Sequence, residues 1–186
     1  MSRLEIIDPK TASAPAKALL DAVQAQLGTT PNFIRVLANS PKALEGFLGL
    51  YGAAGGFAID KATQERIALA VAEGNGCQYC VVAHGALLRI YAKNPLVADQ
   101  VAVNYRKADI TPKQKAMLDF AMKVCLESGK INDADFETLR GHGFTDEDIW
   151  DIGAISAFFG LSNRMANMTS MRPNDEFFLL GRVPKK

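Results

Sequence analysis

Cysteine and histidine are both scarce, three and two in 186 residues. So few cysteines, and an odd number, exclude a disulfide scaffold and give weight to any place where two fall together. Charge of one sign is lacking as well: 21 Lys and Arg stand against 20 Asp and Glu. No run of either sign occurs, whereas a nucleic-acid reader carries a basic surplus. There is no stretch of eighteen apolar residues, and the opening "MSRLEIIDPK" has no apolar h-region. Neither a membrane span nor a secretory leader is therefore expected, and a cytoplasmic protein is. Low-complexity tracts and sustained two-residue alternation are also missing, so strands are not expected. What is there is 48% apolar and 22% charged, the composition of one globular domain over residues 1–186.

Helical punctuation recurs along this chain. "APAKALLDAVQAQLG" spaces Ala16, Leu19, Leu20, Val23 and Leu27 for one helix face, with Gly28 placed to end it. A short apolar stretch, "FIRVLA", follows, and then Ser40-Pro41 opens a helix with the stripe Leu44, Phe47, Leu48 and Tyr51. Asp60 opens the next, whose middle, "IALAVA", is apolar on every side and belongs in the core. Gly74 and Gly76 break it, and the helix beyond them runs to about Lys93, where Asn94-Pro95 offers a cap and a restart. Thr111 with Gln114, and Thr145 with Asp148, have the spacing of capping boxes. Between them a short helix around Phe136 and Leu139 ends at Gly141, while the tail "RPNDEFFLLGRVPKK" shows no periodicity. The pattern specifies an all-α domain.

The phrase "GNGCQYCVVAHG", residues 74–85, gathers two of the three cysteines and one of the two histidines. At about 100° per residue, Cys77, Cys80 and His84 share one narrow face of the helix. His84 stands one turn beyond Cys80 and is expected to act mainly on it. Glu65 comes from the preceding helix. If the two helices fold back antiparallel about Asn75, Glu65, ten residues before it, comes level with His84, nine after. A carboxylate on one imidazole nitrogen fixes the tautomer and raises the basicity of the other, which can then take a thiol proton. A free thiol is only a few per cent thiolate at neutral pH, and a nearby imidazolium and a helix N-terminus both raise that fraction. Cys77, nearest the helix start, feels the dipole most, so the spacing leaves open which thiol attacks.

These residues resemble the AhpD-like alkylhydroperoxidases of the carboxymuconolactone decarboxylase superfamily. The matching pattern is Glu65, eleven residues, Cys77, two residues, Cys80, three residues, His84, within the phrase "EGNGCQYCVVAH". The resemblance implies an AhpD-like helical domain with its CxxC at the start of a central helix. It also implies thiol-dependent peroxide reduction with no haem, flavin or metal. In that scheme Cys80 attacks a small hydroperoxide and Cys77 condenses with it to a disulfide, while His84 and Glu65 relay the proton. An external dithiol, on a lipoyl-bearing or thioredoxin-like protein, restores both thiols. Characterised relatives often have a histidine just before the second cysteine. Tyr79 stands there instead, an auxiliary hydrogen-bonding group that marks a peroxidase-related branch. A homo-oligomer, trimer or hexamer, is the implied assembly.

Other readings compete. The motif face continues through Leu87 and Tyr91, so the three residues also fit a plain core stripe. Zinc is the rival from another class: Cys77, Cys80 and His84 are three ligand types, with Glu65, His142 or Cys125 to complete a tetrahedron in a non-enzymatic module. A second knuckle, usual in structural zinc sites, is missing. A carboxymuconolactone decarboxylase-like lyase is a further alternative, although paired cysteines have no evident use there. Cys125 reads as an apolar-face residue, and His142 as a surface loop residue. Trp150, Phe158 and Phe159 read as core.

Overall fold

The computed structural model describes residues 2–182. Their chain order is α1 (Ala14–Leu27), α2 (Asn32–Leu37), α3 (Pro41–Ala53), α4 (Lys61–Gly74), α5 (Gln78–Ala92), α6 (Pro95–Asn104), α7 (Pro112–Glu127), α8 (Asp133–Gly141) and α9 (Asp146–Thr169). Short 3₁₀ turns follow α3, α6 and α7, another lies at Asp175–Phe178, and no strand occurs among the described residues. The fold is all-α, as the sequence pattern requires.

The caps explain most of these boundaries. The Asp60 carboxylate accepts from the Thr63 amide at 2.7 Å and opens α4. Thr111 with Gln114, and Thr145 with Asp148, form reciprocal capping boxes at α7 and α9. The Asn94 side chain caps α6 by accepting from the Leu96 and Val97 amides. Two segments correct the sequence reading. "FIRVLA" is no mere apolar stretch: it forms most of α2, whose N-cap, Pro31, provides no side-chain hydrogen bond. Trp150 is not core either, since it is 76% exposed on α9, while Phe158 and Phe159 are buried on that helix.

Helix α4 is the central post, packed against α5, α6, α7 and α9. Its residues Ile67 to Ala72 are completely buried, which is why that run is apolar all round. Two cores flank it. One lies between α4, α6, α7 and α9; the other brings α1, α2 and α3 against the start of α5 and includes Cys77, Tyr79 and Cys80. The tail, silent in periodicity, is fastened by two arginine side chains. Arg89 of α5 donates to the Leu180 carbonyl at 2.8 Å and to the Phe177 carbonyl at 3.0 Å, and the Arg182 guanidinium pairs with both oxygens of Asp99 at 2.7 Å. Among the described residues, no helix is long and apolar enough to cross a membrane.

Candidate active site

The turn that delivers the cysteines follows from one glycine. Beyond α4, Asn75 is the C-cap and Gly76 adopts φ +59°, the left-handed conformation that suits glycine. The Gly76 amide then donates to the Glu73 carbonyl and the Cys77 amide to the Ala72 carbonyl, each at 2.9 Å. This paired closure of a helix end is the Schellman motif. It leaves Cys77 as the N-cap of α5, its Sγ accepting from the Cys80 amide at 3.2 Å. Cys77 and Cys80 are joined as a disulfide with Cα atoms 5.3 Å apart, inside the span such bridges need. Both are buried.

Because the turn is tight, α5 returns antiparallel along α4, and Glu65 comes level with His84. Glu65 Oε2 lies 2.7 Å from His84 Nδ1, with side chains only 6% and 10% exposed respectively. An ionised carboxylate can only accept, so Nδ1 carries the hydrogen and Nε2 is left as the basic nitrogen. The edge of Phe159 from α9 closes on the imidazole at 4.4 Å between centroids. Phe47, Tyr51 and Phe158 continue this aromatic wall. Burial, with the charges of Glu65 and Tyr91 added, holds the Tyr51 phenol well above its usual range. Tyr51, on the α3 stripe that the spacing indicates, joins this wall through Phe47 and Phe158.

Tyr79 occupies a different place from the thiols. Its hydroxyl accepts from the Phe33 amide at 3.2 Å and stands 3.5 Å from Asn174 Oδ1. Burial pushes the phenol up to about 12, against the lowering effect of the Phe33 hydrogen bond. A cavity of about 340 Å³ opens beside it at the start of α5, lined by Gly76, Gln78, Tyr79, Asn167, Met171 and Arg172 among others. Three asparagines clamp the turn, and of these the sequence reading named only Asn75, as the pivot. Asn75 Nδ2, with two hydrogens to share, lies 2.9 Å from the Val71 carbonyl, 3.0 Å from Cys125 Sγ and 3.1 Å from Asn163 Oδ1; Asn167 Nδ2 donates to the Asn75 carbonyl at 3.0 Å. Asn in a helix carries no periodic signal, so only the tertiary arrangement shows the other two. Cys125 is half-buried on α7, and His142 is the exposed C-cap of α8. Among the described residues no group of three or more His, Cys, Asp and Glu is arranged to hold a metal ion.

An all-helical domain that presents a CxxC disulfide from a helix N-terminus, one turn from a buried carboxylate–imidazole pair, defines a thiol-bearing class of protein. Residues 41–95 match the model of the carboxymuconolactone decarboxylase family. A crystal structure described as an alkylhydroperoxidase AhpD core, an uncharacterized peroxidase-related protein from Ralstonia eutropha, is 55% identical with a TM-score of 0.91, covering 99% of this chain and 98% of that one. An uncharacterized peroxidase-related protein from Silicibacter sp. is 36% identical with a TM-score of 0.88, covering 97% and 96%. The chain belongs to the AhpD-like proteins of the carboxymuconolactone decarboxylase family. The debrominase Bmp8, solved in complex with 2,3,4-tribromopyrrole, shares the fold at 19% identity and a TM-score of 0.78, covering 95% of this chain and 96% of that one. No curated protein matches the sequence.

Proposed function

We propose that this protein is a thiol-dependent peroxidase that reduces small or organic hydroperoxides with the Cys77/Cys80 pair. The observation that carries the reading is the buried Glu65–His84 contact at 2.7 Å, one helical turn from Cys80. His84 takes the Cys80 proton through Nε2, and Glu65 holds the imidazole in that tautomer. The Cys80 thiolate attacks the terminal peroxide oxygen, the O–O bond breaks, and the alkoxide leaves with the proton from His84. Cys80 is now a sulfenic acid. The Cys77 thiolate attacks its sulfur and expels hydroxide, which leaves as water once protonated, closing the disulfide present in this structure. A dithiol then attacks the bridge, takes the oxidation onto itself as its own disulfide and returns two thiols. The cavity beside Gln78 and Arg172 suits its approach.

Tyr79 has an auxiliary part in this reading: it shapes the wall of that cavity rather than relaying a proton. The donor is a lipoyl-bearing or thioredoxin-like protein, the assembly a homotrimer or hexamer, and the setting the cytoplasm. The zinc-module reading would need Cys77 and Cys80 as separate ligands, whereas here they bond each other.

Peptide mapping tests the proposal. Reduced protein treated with one equivalent of an organic hydroperoxide should form a stoichiometric Cys77–Cys80 bridge within the mixing time, with Cys125 still alkylatable. Thiols that stay free throughout would overturn the peroxidase reading.

A further inference from the structure

One donor at the site is unused. Asn163 is completely buried on α9, and its Nδ2 has no hydrogen-bond partner among the described residues. An orphaned buried amide donor is costly, so its retention calls for a use. The orientation of the amide is fixed by its neighbour. Asn75 must turn its nitrogen toward the Val71 carbonyl, which can only accept. The same nitrogen faces Asn163, so the Asn163 atom it meets is the oxygen, and the free group is the N–H pair.

The register of α9 says where this side chain stands. Phe159, Asn163 and Ala166 fall within about 60° of one another around the helix. Phe159 touches His84, while Ala166 packs in the cluster that contains Cys77 and Cys80. Asn163 stands one helical turn from each of these two residues along α9, bound through its oxygen to the residue two before Cys77.

We infer that Asn163 is a positioning residue for the resolving thiol: in the reduced protein its free N–H donates to the Cys77 thiolate. The inference rests on the peroxidase reading for its purpose but not for its geometry. Cys77 already has the Cys80 amide and the N-terminus of α5 beside it. A second donor keeps it ionised and ready to attack the Cys80 sulfenic acid, without taking a proton from His84.

The test is the pH dependence of Cys77 alkylation by iodoacetamide, mapped by mass spectrometry in a Cys80→Ser background so that one thiol titrates alone. Asn163→Asp keeps the oxygen that Asn75 binds and removes the free N–H; Asn163→Leu removes all polarity at similar size. Melting curves establish that each variant folds. Both should raise the alkylation midpoint by about one unit, a tenfold shift of the ionisation equilibrium toward the thiol. A Leu variant that folds and titrates like its parent would overturn the inference, even if the Asp variant shifts, because a new carboxylate does that by charge alone. If neither variant folds, Asn75→Ala, which frees the Asn163 amide to rotate, must move the midpoint in the same direction or the idea falls. Failure of the untouched protein to form a bridge with hydroperoxide would count against the peroxidase reading while leaving this titration standing.

Discussion

At the scale of single residues, His84 and Glu65 work as one unit because a carboxylate is an acceptor only. Glu65→Gln preserves size and an acceptor oxygen but not the charge that would favour the imidazolium of the proposed turnover. His84→Ala should lower the peroxide-dependent rate by about 10²-fold or more, and Glu65→Gln by less, both measured as bridge formation in stopped-flow. A Glu65→Gln variant slower than His84→Ala would contradict the assignment of His84 as the base. The cysteines differ in the same test. Cys80→Ser should abolish turnover, whereas Cys125→Ser should leave it nearly intact, since a serine oxygen can also accept from Asn75 Nδ2. Equal losses from both would remove the distinction between redox pair and bystander.

At the scale of helices, α2 shows what the sequence could and could not disclose. Helices with local caps, such as Asp60 for α4 and the Thr111 box for α7, were legible because the capping groups lie within three residues. The amides of α2 are capped from far away: Phe33 by the Tyr79 hydroxyl and Asn32 by Asn174 Oδ1 at 3.0 Å. No local pattern encodes that. The CxxC helix was legible for the same reason of spacing, and so was the pairing of Glu65 with His84, because a glycine turn makes register countable. Asn163, the place of Tyr51 in the aromatic wall and the tail depend on contacts between elements distant in sequence. Tyr79→Phe should therefore loosen α2 as well as the start of α5. It leaves the Phe33 amide unsatisfied and should cost about 1–3 kcal/mol in chemical denaturation. It should also alter the alkaline limb of stability. With the folded phenol raised to about 12 and an unfolded one near 10, the contribution of Tyr79 is whole below pH of about 10 and is lost as pH rises toward 12. The variant should lack that part of the decline; an unchanged slope would mean the phenol ionises alike in both states.

At the scale of the whole molecule, apolar side chains on several helices face outward: Leu96 and Val103 on α6, Trp150 and Met168 on α9. The proposed homo-oligomer predicts a sedimentation mass three or six times that of the 20.1 kDa chain, and a monomer across micromolar concentrations would overturn it. The single tryptophan, so exposed here, reports independently whether its part of α9 is covered, through the position of its emission. The bridge has a different consequence at this scale. It joins a helix cap to the first turn of the same helix, three positions apart. A loop so short takes little freedom from the unfolded chain, so oxidation adds far less stability than a long-range bridge would. Opened, Cys77 remains the residue at the head of α5. In the proposed cycle the oxidised and reduced forms are therefore expected to share one outline, so that a reductant tells them apart by reacting with sulfur and not by shape.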